Sequence, residues 1–140
     1  IDKRPRDRVL PHVAVAAVQL QAGVDHLAFQ IGQPPLAHGR GRHVELGSAA
    51  DNINVDADGS VWIAAHAKVL ALGMHFGDAA RLAPTQVFRF LPDAKGDARL
   101  SEVYLDSGQA ISAGSVGAAV NRQLLIGSIT ERKILRCRLP

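Results

Sequence analysis

From residue 44 onward, the sequence is a succession of short β-type runs separated by residues that favour tight turns. The runs are rich in Val, Ile, Leu and Phe, they recur roughly every 8–15 residues, and Gly, Asp and Asn stand at the joints. No run is long enough for a helical bundle, so the pattern predicts an all-β fold. The predicted strands cover residues 52–56, 61–65, 86–91, 100–105, 115–120, 123–129 and 133–139.

Two of the joints have the composition of hairpin turns. Asp56-Ala57-Asp58-Gly59 connects the first two runs, and Gly59 suits the positive φ that a tight turn requires. Asn121-Arg122 is a two-residue joint between the runs over 115–120 and 123–129. Both joints predict antiparallel pairing of the strands on either side.

Residues 1–43 differ in composition from the rest of the chain. They contain four of the six histidines and six Lys/Arg against three Asp, whereas residues 44–140 contain ten charges of each sign. The net charge of +3 therefore comes from this segment, and because no basic stripe with aromatics accompanies it, we expect no nucleic acid partner. The apolar residues over 13–29 follow neither the helical period nor the strand period cleanly, so both a helix and a pair of strands are possible there. Residues 1–43 therefore remain unassigned.

Three further features limit what the chain can be. No stretch approaches the ~20 apolar residues that span a bilayer, so we expect no transmembrane segment. The chain begins at Ile1 without an initiating Met, which suggests a fragment or a processed product and leaves the compartment unknown. The single cysteine, Cys137, has no intrachain partner, and its expected role is that of a small apolar side chain in a terminal strand.

Asp51-Asn52, at the mouth of the first predicted strand, is the pair most suited to a metal. Calcium prefers about six to eight oxygen ligands from carboxylates, amide carbonyls and water. An adjacent Asp and Asn offer one charged and one neutral oxygen. The same dipeptide is also common in turns, so the pair alone does not separate a metal site from a turn.

The segment over 54–65 does not form an EF-hand loop. Asn54, Asp56, Asp58 and Gly59 match the first, third, fifth and sixth positions of such a loop, but the twelfth position requires Glu and holds Ala65. No helices are predicted on either side.

The order and spacing of motifs from residue 44 to the C-terminus resemble the paraoxonase/arylesterase family. Asp51-Asn52-Ile53-Asn54-Val55-Asp56 and Trp62-Ile63-Ala64-Ala65-His66 are similar to the family's D-N-I-x-V-D and W-[VI]-x-x-H strands. Gly114-Ser115-Val116, Leu124-Leu125-Ile126-Gly127-Ser128 and Leu135-Arg136-Cys137 resemble its closing strands.

The resemblance implies a six-bladed β-propeller that binds a catalytic and a structural calcium near its axis and hydrolyses lactones and aryl esters. Residues 44–140 would then form about two C-terminal blades of four strands each, a fragment that lacks the blades needed to close the ring. Asp51 and Asn52 would ligate the catalytic calcium, which would polarise the ester or lactone carbonyl as water attacks. His66 would line the site as a substrate contact or secondary base; the alternative is a strand-end histidine with a structural hydrogen bond.

The sequence departs from the family pattern in several places. Ala67 follows His66 where the family often has proline. The remaining calcium ligands and the main histidine pair belong to earlier blades, and nothing in residues 1–43 matches them. We hypothesise that this segment is out of register or divergent. Cys137 matches a cysteine that animal members bond to one near the N-terminus, and without that partner it would be a free thiol.

We therefore expect the C-terminal part of a calcium-dependent arylesterase- or lactonase-like hydrolase that acts on a small-molecule ester or lactone. This chain alone is expected to be inactive. Two alternatives stay open: a non-catalytic propeller that serves as a binding scaffold, similar to strictosidine-synthase-like relatives, and a truncated product without function.

Overall fold

The computed structural model describes residues 17–19, 26–30, 42–92 and 98–140, which contain ten β-strands and one α-helix. These elements are β1 (Ala17–Gln19), β2 (His26–Gln30), β3 (Arg42–Glu45), β4 (Ala49–Val55), β5 (Val61–His66), α1 (Val69–Gly77), β6 (Thr85–Pro92), β7 (Ala98–Asp106), β8 (Gly114–Val120), β9 (Gln123–Ser128) and β10 (Ile134–Arg138). The strands form three antiparallel sheets with orders β1-β2-β3, β4-β5-β6-β7 and β8-β9-β10.

The second and third sheets have the form of propeller blades. In the middle blade, β4–β7, each strand pairs with the next along the chain, which gives the four-stranded antiparallel meander of a complete blade. The last blade, β8–β10, follows the same order with three strands. The prediction of an all-β fold with about two blades is therefore confirmed.

β5 lies at the centre of the core because both faces of the middle blade are covered. All six of its residues are buried, and alternate side chains of a strand point to opposite faces. One face carries the cluster Leu46, Val61, Ile63, Ala65, Phe88 and Phe90. The other face carries the cluster Trp62, Val87, Ile111, Leu124 and Ile126, in which the last blade packs on the middle one. Each large side chain buried here contributes about 1.5–3 kcal/mol.

The last blade approaches the middle blade closely because β8 presents glycines to β6. A Cβ atom on Gly114 would lie 2.2 Å from Thr85 Cγ2, and one on Gly117 would lie 2.8 Å from Val87 Cγ1. The Gly114 N–H also donates to Thr85 Oγ1 at 2.8 Å, and that hydroxyl donates to the Ile111 carbonyl at 2.7 Å. These contacts fix the position of β8 along the middle blade.

Both predicted turns are present. Gly59 has a φ of +82°, and its N–H donates to the Asp56 carbonyl at 2.9 Å. At the second joint, Asn121 and Arg122 both have positive φ and connect β8 to β9 as a hairpin.

The helix α1 is an element that the all-β interpretation of the sequence did not include. Its usual start signals are absent: Lys68 at the N-cap makes no side-chain capping bond, and the first turn holds no acidic residue. A tertiary contact holds the helix instead. His75 is buried, with Nδ1 2.7 Å from the Arg81 carbonyl oxygen and Nε2 2.8 Å from Thr130 Oγ1.

Within the unassigned segment over 1–43, the structure describes β1, β2 and the start of β3, and β2 pairs with both neighbours. The other residues of that segment lie outside the described residues, so the out-of-register hypothesis stays a prediction. In the described ranges no helix is long and apolar enough to cross a membrane.

Candidate functional site

A β-bulge on β4 places Asp51 and Asn52. Their two flanking residues pair in register with Ala65 and Ile63 of β5, so both Asp51 and Asn52 lie opposite the single residue Ala64. A bulge increases the local twist of a strand and redirects its side chains. The two predicted calcium ligands therefore occupy an irregular position in the first strand pair of the middle blade, β4 with β5.

Asp51 contacts the third predicted site residue directly. His66 Nε2 lies 2.9 Å from Asp51 Oδ2, within hydrogen-bond distance. The His66 side chain is 7% exposed, whereas that of Asp51 is 27% exposed. The Nε2–H group donates to the carboxylate, so Asp51 fixes the orientation of a buried imidazole.

The other ring nitrogen of His66 has no partner among the described residues. Nδ1 is buried and makes no hydrogen bond with the described residues. When Nε2 carries the proton of a neutral ring, Nδ1 has a free lone pair and can accept a hydrogen bond or a proton. An unpaired buried nitrogen costs about 1–3 kcal/mol, and a group brought into the site that donates to it would recover that free energy.

Asn52 connects the two blades. Its Nδ2 donates to Asp51 Oδ1 at 3.1 Å and to the Ser115 carbonyl of β8 at 2.9 Å. Both contacts use the nitrogen of the side-chain amide, which carries its donors. The oxygen, Asn52 Oδ1, is the acceptor and stays available to bind a ligand. The site therefore lies where the first strands of the middle and last blades meet.

The donor atoms fit calcium chemistry in kind and fall short in number. One carboxylate and one amide oxygen are the hard ligands that calcium prefers, but a complete site needs about six to eight oxygens. In the part of the chain that the structure describes, no group of three or more His, Cys, Asp or Glu side chains could hold a metal ion. Asp51 and Asn52 would thus form part of a calcium site, completed by other ligands.

The structure brings together all three site residues that the sequence singled out: Asp51, Asn52 and His66. The sequence did not indicate the Ser115 carbonyl, because a backbone oxygen carries no residue signal and the contact depends on blade packing. Nor did it indicate a role for His75, which faces the protein interior with both ring nitrogens bonded.

An apolar rim follows His66 in the chain. Several large apolar side chains on α1 and in the loop after it are exposed, and Leu70 is the most exposed of them at 78%. The rim consists of Val69, Leu70, Met74, Phe76 and Leu82.

Cys137 lies on β10 as a free thiol at the border of the core between the two blades. Burial raises the pKa of this thiol above its ordinary value. The thiol is therefore poorly suited to act as a nucleophile, because the thiolate is the reactive form.

Comparison with known proteins identifies the family of the chain. The model of the arylesterase family matches residues 36–139, and the chain belongs to that family. Serum paraoxonase/arylesterase 2 of Rattus norvegicus is 26% identical over 97 residues. The aligned part is 69% of this chain and 27% of the relative, so the chain corresponds to about a quarter of that protein's length. The predicted resemblance is confirmed.

Proposed function

We propose that this chain supplies two calcium ligands and a supporting histidine to the site of an arylesterase- or lactonase-type hydrolase. The observation that carries the proposal is the bulge of β4, which holds Asp51 and Asn52 side by side at a blade junction in contact with His66. Membership of the arylesterase family supports ester hydrolysis as the reaction class.

Each of the three residues has a distinct role. Asp51 would give a charged oxygen to calcium while it holds His66, and Asn52 would give its free amide oxygen. When bound, calcium would polarise the carbonyl of the ester or lactone and stabilise negative charge on its oxygen. His66 would accept a hydrogen bond at Nδ1 from a substrate or from the attacking water.

The proposed substrate is a small-molecule ester or lactone with an apolar part. The apolar rim begins at Val69, three residues after His66 in the chain, and its exposed side chains offer a surface for an aryl or acyl group. Burial of such a group against these side chains would contribute about 25 cal/mol per Å².

A binding scaffold without catalysis is the second candidate. In the described residues, no group of three or more His, Cys, Asp or Glu side chains around Asp51 could hold a metal ion, which favours this candidate. Calcium binding by a complete propeller that contains this chain, without turnover of any ester or lactone, would support this candidate.

Thermal unfolding followed by circular dichroism tests the proposal. The 140-residue chain is melted in millimolar calcium and again with chelator, because binding only to the folded state raises the melting temperature. We expect calcium to stabilise the wild type and not Asp51→Asn, whereas Asp78→Asn, an equal change of charge at an exposed position, should respond like the wild type. Equal responses from the two variants, or none from the wild type, would contradict the proposal. Phenyl acetate and a γ-lactone are then assayed as substrates, and we expect no turnover by this chain alone.

A further inference from the structure

A pocket lined by polar and charged residues lies at the far end of the last blade from the candidate site. It has a volume of about 330 Å³ and is lined by Asn121, Arg122, Gln123 and Arg138. Ser115, which contacts the candidate site, is seven positions before Arg122 along β8 and its turn, so about 20 Å separate the two places. The pocket is therefore independent of the calcium proposal.

The strand register brings the two arginines together. Arg138 of β10 lies directly opposite Gln123 of β9, which follows Arg122 in the hairpin. The N–H of Leu139 donates to the Arg122 carbonyl at 2.9 Å and fixes the end of β10 against the turn. Arg122 of the β8–β9 turn and Arg138 of β10 therefore border one cavity.

The positive charge of this pocket is not compensated within the described residues. Neither the Arg122 nor the Arg138 guanidinium has an ion pair or hydrogen bond there. Residues 107–140 contain five Lys/Arg and the single acid Glu131, which pairs with Lys133. Because like charges that share a cavity repel each other, an anion bound between them would be favoured.

The backbone of Arg122 is held in an unfavourable conformation. Asn121 and Arg122 have φ angles of +49° and +59°, as in a type I′ hairpin turn. Asparagine tolerates this region, but the second central position strongly favours glycine, so an arginine there is strained. Strain of this kind often accompanies a functional side chain.

From these observations we propose that the pocket is a binding site for a tetrahedral oxyanion, the phosphate or sulfate group of a small molecule. Arg122 and Arg138 would each donate a pair of N–H groups, the geometry that planar guanidinium groups offer to such anions. The side-chain amides of Asn121 and Gln123 would donate to the remaining oxygens. A carboxylate has only two oxygens and would leave part of these donors unused.

Thermal unfolding in phosphate, compared with chloride at the same ionic strength, tests the site. We expect a saturable rise of the melting temperature in the wild type and an affinity at least about ten-fold weaker in Arg122→Gln and Arg138→Gln. Arg132→Gln removes the same charge from an exposed position on the same blade outside the pocket and should keep the wild-type response. If Arg132→Gln weakened the response to phosphate as much as the pocket variants do, the response would reflect net charge alone. That result would overturn the proposal.

Arg122→Gly separates loss of binding from loss of folding. Glycine relieves the strained φ, so this variant should melt about 2–5 °C above the wild type in chloride and gain nothing from phosphate. A glycine variant that still responds to phosphate like the wild type would overturn the role of Arg122.

Sulfate, glycerol phosphate and acetate, tested in the same way, define the anion. Sulfate and glycerol phosphate should stabilise as phosphate does, and acetate should have little effect; an equal effect of acetate would overturn the tetrahedral assignment. Sedimentation with phosphatidylcholine vesicles, with and without phosphatidic acid, distinguishes a lipid headgroup from a free phosphate ester. We expect the chain to stay in solution with both, and binding to the acidic vesicles alone would overturn the small-molecule assignment.

Discussion

His66 Nε2 lies 2.9 Å from Asp51 Oδ2, across the pairing of β4 with β5. In register, His66 is opposite Ala49, so Asp51 is its diagonal neighbour two positions along β4. The bulge on β4 places Asp51 beside Asn52, whose amide donates to the Ser115 carbonyl of the last blade. The same carboxylate therefore orients a buried histidine and is available to a metal.

Substitution of Asp51 should separate these two roles. Asp51→Ala leaves both ring nitrogens of the buried His66 unpaired, so the free energy of unfolding should fall by about 1–3 kcal/mol. Asp51→Asn keeps an oxygen that accepts from Nε2–H and should cost less than about 1 kcal/mol. Urea unfolding in the presence of chelator measures both. An alanine variant as stable as the wild type would show that the contact does not stabilise the fold.

His75 should be essential for the position of α1. His75→Ala leaves the Arg81 carbonyl and Thr130 Oγ1 without their partner, so we expect a loss of about 2–4 kcal/mol in urea unfolding. Thr130→Val should cost less, and the double variant should cost less than the sum because the two side chains share one contact. Leu70→Ala, at an exposed position of the same helix, should stay within about 0.5 kcal/mol of the wild type. Additive effects of His75 and Thr130 would contradict the proposed coupling.

Two glycine substitutions should have effects of opposite sign. Gly114→Ala places a Cβ 2.2 Å from Thr85 Cγ2, so the last blade must shift and the free energy of unfolding should fall by about 1–3 kcal/mol or more. Gly73→Ala lies within α1, and beyond its chain neighbours and the helix backbone no atom lies within 4 Å of the new Cβ, so it should stabilise the chain by about 0.5–1 kcal/mol. Denaturant unfolding with intrinsic fluorescence compares the two. If Gly114→Ala left the stability unchanged, the blades would not be packed as closely as described.

Stability should fall in alkaline solution, in part through Tyr104. Burial, together with the charges of Asp106 and Cys137, raises the pKa of Tyr104 from 10.0 to about 12. The folded chain therefore keeps this proton to higher pH than the unfolded chain, and the stability it contributes is present below about pH 10 and lost between about pH 10 and 12. Tyr104→Phe should show a smaller decline across that interval in urea titrations. Identical pH profiles for the two proteins would contradict this assignment.

The strands and turns of residues 44–140 could be predicted because their signals are local. Alternating apolar residues and short Gly, Asp or Asn joints fix strand and hairpin positions with little dependence on the rest of the fold. The family motif further indicated Asp51, Asn52 and His66. The helix α1 could not be predicted, since His75 holds it through a contact with Thr130, a residue 55 positions away in the chain.

The geometry of the sites also depends on tertiary structure. The bulge at Asp51 arises from a mismatch in the pairing of β4 with β5. The sequence of either strand alone does not indicate this mismatch. In the same way, Arg122 and Arg138 become neighbours only through the order β8-β9-β10. Composition shows that the last blade is basic, but not that two of its arginines share a pocket.

Terbium luminescence tests most directly whether Asp51 and Asn52 are calcium ligands, because Tb³⁺ takes the same hard oxygen ligands as calcium. The single tryptophan, Trp62, pairs in register with Asn54, about 10 Å along β4 from the bulge, and can therefore sensitise a bound ion. We predict saturable terbium emission on excitation of Trp62 in the 140-residue chain. Calcium should displace this emission, Asp51→Asn and Asn52→Ala should weaken it at least about ten-fold, and Asp78→Asn should leave it unchanged. Emission of wild-type strength from Asp51→Asn, or none from the wild type, would contradict the assignment of this bulge as part of a calcium site.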